Sequence, residues 1–380
     1  MTSPLELTKE IIAFDTTSRS SNLALIDFAQ DFVEKHGARC RRSYDETGKK
    51  ANLFATFGPD GDGGFVLSGH TDVVPVDGQD WSSDPFKAEV RDGLLYGRGA
   101  CDMKGFVATA LSLAPEIGKA KLSRPIHFAF SYDEEVGCAG APKLLADLKE
   151  TNINPALAII GEPTDMHVVG AHKGGVGILT RCCGVEGHSS APHKGASAVM
   201  MAGEFLAGLD VIAQELMKDR DDRFDPPYTT TLSNVISGGT AVNILAKEAN
   251  VRWEVRALPD RDPMKVVARA REYAQNTILP KYAHAKDAHF EITVKTSYPG
   301  LKLDSDSVAV ALARELSGAN AVETVAYGTE AGLFQQAGIP AVVCGPGSIE
   351  QAHKPDEFVK LSELDACEKF LRRLIAKASA

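Results

Sequence analysis

Apolar residues recur at helical spacing between Asn22 and His36: Leu25, Phe28, Ala29, Phe32 and Val33 stand at i, i+3, i+4, i+7 and i+8. That stripe predicts a helix with one face on a core, and Gly37 follows as its stop. From about Ala51 to Gly161, short apolar runs alternate with longer helical patterns such as Gly105–Ile117 and Ala141–Lys149. The alternation predicts an α/β layer architecture. The middle of the chain changes character. Gly174–Val185 reads as a strand, Ala196–Lys218 as a helix, and Thr229–Ser237 and Glu248–Leu258 as strands. Met264–Ile278 then reads as a helix and His289–Thr296 as a last strand. This βαββαβ order is self-contained and predicts a ferredoxin-like unit. After Tyr298 the pattern returns to helix, strand, loop and helix, with Ala341–Cys344 as a short buried strand. The chain thus reads as a discontinuous α/β domain, 1–173 and 298–380, interrupted by an inserted domain at 174–297, with neither an obvious repeat nor a low-complexity linker.

A length of 380 residues exceeds a comfortable single core, in keeping with two domains. The net charge of −10 argues against nucleic acid or an anionic membrane as partner. Met1–Glu10 carries Glu6, Lys9 and Glu10 and lacks a signal peptide's apolar stretch, and the uncharged run Gly105–Pro115 is too short to span a bilayer. A soluble, cytoplasmic protein is expected. Seven scattered cysteines without a Cys-x-x-Cys do not read as a disulfide framework. Cys182 and Cys183 read as reduced packing residues on a strand, one to each face.

The candidate chemistry sits at the ends of the apolar runs. Phe65–Gly69 leads into His70, Ile126–Tyr132 into Asp133, Glu134 and Glu135, and Leu157–Gly161 into Glu162. Ala341–Cys344 leads through Gly345-Pro346-Gly347 towards His353. One charged residue after a strand is commonly just where the strand meets water. Four chain-separated strands ending this way place His and Glu where open α/β sheets bind ligands. Two histidines and several carboxylates are the inventory of a zinc site with nitrogen and oxygen ligands. With one His and one terminal carboxylate per ion, a shared carboxylate could hold two ions ~3.5–4 Å apart, and Asp102 is the candidate bridge. Its segment, Gly97 to Gly105, resembles a dinucleotide loop only superficially, because Asp102 stands where a third Gly is needed. No Gly-x-Ser-x-Gly is evident.

These residues fall into motifs that resemble the co-catalytic zinc aminoacylase and carboxypeptidase family over essentially the whole chain. The motifs are Ser68-Gly69-His70-Thr71-Asp72, Tyr96-Gly97-Arg98-Gly99 through Asp102-Met103-Lys104-Gly105, and Asp133-Glu134-Glu135-Val136-Gly137. Gly161-Glu162-Pro163-Thr164, Gly187-His188-Ser189-Ser190, Gly238-Gly239-Thr240-Ala241-Val242-Asn243 and His353 complete the set. The resemblance implies a zinc-exopeptidase-like catalytic domain with an inserted dimerisation (lid) domain. It implies two zinc ions, with cobalt able to substitute: His70 and Glu162 on one, Glu135 and His353 on the other, Asp102 on both. Asp72 would orient the His70 imidazole, and Glu134 would be the general base towards a bridging water. His188, otherwise a lone loop histidine, would cross within a homodimer to stabilise the oxyanion in the partner's site. Asn243 and Arg256 would meet the substrate's carboxylate, Arg by its two-pronged fork. His127, His172, His193 and Lys173 receive no role.

Tyr327-Gly328-Thr329-Glu330-Ala331-Gly332 and Gly345 to His353 resemble the members of the family that deacetylate N-acetylornithine in arginine synthesis, rather than the desuccinylases, which carry Ser-Asp after the Thr. Glu330 would then face the substrate's cationic side-chain amine, or else be an oriented structural carboxylate in a Gly-rich loop. A succinyl-diaminopimelate desuccinylase or broader aminoacylase is the alternative within the family. A non-catalytic metal- or peptide-binding protein is the alternative from another class; the presence of all five implied ligands and Glu134 weighs against it.

Overall fold

Four of the apolar runs become neighbouring strands that point the same way. In the computed structural model, which describes residues 3–380, Ile126–Ser131, Phe65–His70, Leu157–Ile160 and Ala341–Val343 lie side by side and parallel. Every residue in them is buried, as befits strands covered on both faces. They form the centre of an eight-stranded mixed sheet. Ala51–Phe57 and Arg39–Tyr44 extend it antiparallel beyond Ile126–Ser131, and Val169–His172 and Glu323–Val325 extend it beyond Ala341–Val343. Because the central strands are parallel, their carboxyl ends share one edge. That edge carries the candidate site.

Helices complete the layers. Leu7 and Ile11 from Pro4–Ile12, Leu25, Ile26, Ala29 and Val33 from Leu23–Glu34, and Phe370, Leu371 and Leu374 from Leu361–Ser379 join the sheet's residues in one core. The helix expected at Gly105–Ile117 is two pieces, Lys104–Ser112 and Ala114–Ile117, and the first is buried throughout. It packs directly against the strand ends. A Cβ at Gly161 would stand 2.0 Å from the Phe106 ring, so glycine before Glu162 is a condition of that close approach. At the start of the chain, where no signal peptide is expected, Met1 and Thr2 lie outside the described residues and Pro4–Ile12 is helical.

The chain divides into two compact units. The first holds residues up to Ala171, Leu301–Thr324 and Thr329–Ala380; the second holds His172–Gly300 and Val325–Gly328. In the second, Thr230–Gly238, Glu248–Ala257, Gly174–Cys183 and His289–Tyr298 form an antiparallel sheet in that order. Taken with helices Ala198–Leu216 and Pro263–Tyr273, this is the ferredoxin-like βαββαβ arrangement, and the fold class read from the pattern holds. Along Glu248–Ala257, burial alternates, so that Ala249, Val251, Trp253 and Val255 face the helices. A small three-stranded sheet, Phe358–Lys360, Leu94–Tyr96 and Glu89–Arg91, has no counterpart in the sequence reading. It matters below.

Candidate metal centre

The strand Phe65–His70 ends on its histidine, and the chain then turns. His70 Nδ1 lies 2.9 Å from the backbone carbonyl oxygen of Asp72. A carbonyl only accepts, so Nδ1 carries the proton and donates. Nε2 is thereby left facing Asp102 Oδ1 at 3.0 Å and Glu162 Oε1 at 3.8 Å. A ring nitrogen with its lone pair turned to two carboxylates requires a proton or a metal cation between them. Burial alone would lower the pKa of His70, yet Glu162, Asp102 and Asp72 hold it well above its ordinary value.

Asp102 occupies the middle. Its Oδ1 meets His70, and its Oδ2 lies 3.3 Å from His353 Nε2, which is also 3.0 Å from Glu135 Oε2. One carboxylate thus stands between two imidazoles. Ligand atoms of His70, Glu134 and Glu162, and again of His70, Asp102 and Glu135, lie within 4.8 Å of one another. Glu135 Oε1 is buried without a hydrogen-bond partner, an arrangement too costly to persist with nothing to coordinate. The donor set of imidazole nitrogens and carboxylate oxygens suits zinc, and these orphaned lone pairs fit a pair of ions. Burial raises Glu134 to about 8 and Glu135 to about 7, with neighbouring carboxylates adding to the effect. His353 is pushed up to about 10, by its contacts with Asp102 and Glu135 first.

Asp72 differs from expectation. Its carboxylate oxygen is 3.7 Å from His70 Nδ1, beyond hydrogen-bond reach, and the carbonyl orients the ring instead. The carboxylate accepts from the backbone N–H of Glu134 at 3.0 Å and of Glu135 at 3.3 Å, and from Ser18 Oγ at 2.7 Å. It positions the Glu134–Glu135 turn. That turn begins at Asp133, whose φ of 55° is in the left-handed region and whose carboxylate is held by Lys50 Nζ at 2.5 Å. Cys138 Sγ donates to Glu134 Oε1 at 3.2 Å. Nothing in the sequence marked Ser18, Lys50 or Cys138.

Glu330 is buried. It is only 2% exposed, its Oε1 is buried, and its Oε2 lies 3.4 Å from Ser68 Oγ, inside the sheet edge. Oε1 has no hydrogen-bond partner, so Glu330 is a buried carboxylate at the sheet edge rather than one open to solvent.

His188, Asn243 and Arg256 belong to the second unit. His188 is exposed, and its Nδ1 accepts from Ser190 N–H at 3.1 Å. Ser189 N–H donates to the carbonyl of Asn243 at 3.1 Å, joining their two loops. Arg256 is half-buried and held by Glu254 at 3.0 Å and by the Tyr298 hydroxyl. His127 and His172 are buried, and Lys173 Nζ is capped by the carbonyls of Pro226 and Tyr228 at 2.7 and 2.6 Å.

The α/β sheet edge with its His and carboxylate cluster defines a metal-dependent hydrolase. Residues 66–377 match the peptidase family M20/M25/M40, and the chain belongs to that family. It is 38% identical over 374 residues to an acetylornithine deacetylase of Myxococcus xanthus, covering 97% of this chain and 95% of the relative. An acetylornithine deacetylase of Proteus mirabilis is 35% identical over 370 residues, with 97% and 93% covered. The fold is similar to that of an M20 family metallo-carboxypeptidase, Sso-CP2, from Sulfolobus solfataricus, with a TM-score of 0.79, 18% identity and 100% of both chains covered. Human carnosine dipeptidase 1 is similar with a TM-score of 0.77, 15% identity, and 98% of this chain and 95% of that one covered.

Proposed function

We propose that this chain hydrolyses the amide of N-acetylornithine to ornithine and acetate with two zinc ions bound. The observation that carries the hydrolytic reading is Asp102, one carboxylate set between His70 and His353, with Glu162 beside the first and Glu135 beside the second. When bound, such a pair of ions lowers the pKa of a water and polarises the scissile carbonyl. Glu134 would take a proton from the attacking water and return it to the leaving amine. Burial raises its pKa to about 8 against the pull of His70, which suits a carboxylate that must take up and hold a proton. The substrate rests on the near full-length similarity to acetylornithine deacetylases.

The second unit supplies the remaining assignments. His188 is proposed as the oxyanion donor to a partner's site, and Asn243 and Arg256 as contacts for the substrate carboxylate. Dimerisation through this unit is supported by the exposed Leu232, Val235 and Ile236 on its edge strand. Seven free cysteines fit a reducing cytoplasm, and no described helix is long and apolar enough to cross a membrane.

The test is a panel of N-acetylornithine, N-succinyl-diaminopimelate and neutral N-acetyl amino acids, assayed after chelation and again with zinc restored. N-acetylornithine is expected to give the highest kcat/KM, and only with metal. Faster turnover of the succinyl compound, or activity indifferent to chelation, would overturn the reading.

A further inference from the structure

A buried ion pair away from the ligands ties two ligand-bearing segments together. Arg98 and Glu357 are each 1% exposed and meet at 2.6 Å, Nη1 to Oε2. The other oxygen of Glu357 accepts the backbone N–H groups of Cys101 at 2.9 Å and Asp102 at 3.0 Å. The turn that presents Asp102 is therefore fastened to Glu357. On its far side, Arg98 Nη2 donates to Gln79 Oε1 at 2.5 Å, and Gln79 Nε2 donates to the carbonyl of His353 at 2.9 Å. Trp81 Nε1 also donates to Gln79 Oε1 at 3.0 Å, and the Arg98 guanidinium lies 5.0 Å from the Trp81 ring centre. The small sheet brings the partners together: Phe358 pairs with Tyr96, and Gly97 N–H donates to the Glu357 carbonyl at 2.9 Å.

We propose that the Arg98–Glu357 pair, extended through Gln79, is a positioning device that holds the Asp102 turn and the His353 loop in one geometry and so sets the affinity for the metal ion these two residues share with Glu135. The proposal rests on the two-ion reading above. Stability alone is a weak reason for such a pair, since well-packed apolar residues often replace a buried ion pair at no loss. A geometric task is a better one. His353 has φ 64°, a left-handed conformation unusual for a residue with a side chain, and it is half exposed, so its own packing does little to fix it. Arg98 suits the task because its fork reaches Glu357 and Gln79 at once, which the single ammonium of lysine cannot do in the same directions. Partners beyond a metal's ligands typically change its affinity by ~10–100-fold.

The experiment is a zinc titration of the metal-free full-length chain against a chromophoric chelator, for wild type, Gln79→Ala, Arg98→Lys and Glu357→Gln. Wild type is expected to take up two equivalents. In each variant the equivalent held by His353 and Glu135 should weaken by ~10–100-fold, and clearly more than the other, which shares only Asp102 with it; excess zinc should restore kcat. Gln79 is half-buried and outside the ion pair, so Gln79→Ala carries the test should Glu357→Gln fail to fold. Two equivalents of wild-type affinity in every folded variant would overturn the proposal. So would losses shared equally by both equivalents and matched by a fall in the melting temperature of the metal-free chain. A wild-type chain binding one equivalent or none would instead sink the two-ion reading, and this proposal with it.

Discussion

His127 is a buried histidine with a measurable consequence for acid stability. Its ring stacks on Phe54 at 5.0 Å, its Nδ1 lies 2.9 Å from Thr56 Oγ1, and its Nε2 is buried without a partner. Burial, with a smaller effect from Arg39, lowers its pKa to about 4. In the unfolded chain it titrates near 6.5, so between those values the unfolded state binds more protons. Stability is therefore full above pH 6.5, falls as the pH drops through the window, and loses nothing further from this residue below about pH 4. The loss at pH 5 is about 2 kcal/mol, and about 3 kcal/mol once the window is crossed. His127→Phe keeps the stacking partner and removes the titration, at about 1 kcal/mol for the lost contact with Thr56. The variant should be less stable than wild type by about 1 kcal/mol at pH 8 and more stable by about 1 kcal/mol at pH 5, the two curves crossing near pH 6. Urea unfolding of both proteins with chelator present, at pH 5, 6 and 8, measures the difference, and titration of the metal site cancels in it. Parallel curves would refute the reasoning, because a histidine that charges as easily folded as unfolded cannot tilt them.

Three further outcomes follow from the site. Glu134→Gln should lower kcat by ~10²–10⁴-fold while leaving zinc stoichiometry unchanged by metal analysis; near-normal turnover would remove Glu134 from its role. Asp72→Asn keeps the carbonyl that orients His70 but can no longer accept from both N–H groups of the Glu134–Glu135 turn. Its activity should fall by ~10–100-fold, and a variant as active as wild type would mean that the turn holds itself. Cys138→Ala removes the thiol that donates to Glu134, so the acid limb of kcat/KM should move up by less than about one pH unit. A limb that stays put or moves down would show that the thiol does not favour the charged carboxylate.

The metal-site edge was legible because local rules and the sheet agree. Apolar runs without alternation become buried parallel strands, and parallel strands put His70, Glu135 and Glu162 at one edge whatever the order of strands. Asp72 was less legible. Two residues after His70, its side chain would stand beside the imidazole only if the strand ran on, and the strand ends at His70. Glu330 stands in a Gly-rich segment with no period of its own, and its burial brings it beside Ser68, from a strand far away in sequence. The Arg98–Glu357 contact was least legible of all. It depends on three-residue strands, Leu94–Tyr96 and Phe358–Lys360, too short to give any period, and on a pairing across more than half the chain.

Protons and metal compete for the same buried groups, and this makes zinc binding visible without any substrate. Burial raises Glu134 to about 8, Glu135 to about 7 and Glu162 well above its usual value, while contacts with carboxylates raise His353 to about 10 and neighbouring carboxylates hold His70 well up against its burial. Carboxyls whose folded pKa exceeds the unfolded one stabilise most below about pH 4.3, and that contribution is lost as the pH rises through the folded values. The metal-free chain therefore sheds stability from this site as the pH rises from about 4.3, through about 8 for Glu134 and on to about 10 for His353. Metal ligation needs neutral imidazoles and ionised carboxylates, so it supplies the missing compensation where that loss is greatest. Two results should follow. Zinc added to the metal-free chain in weak buffer at pH 7 should release about two protons or more, the two imidazolium protons among them. The rise in melting temperature on adding zinc should be larger at pH 8 than at pH 5.5. Proton-neutral binding, or a rise that shrinks with increasing pH, would mean that His70 and His353 do not exchange protons for metal, and the centre built around Asp102 would have to be reassigned.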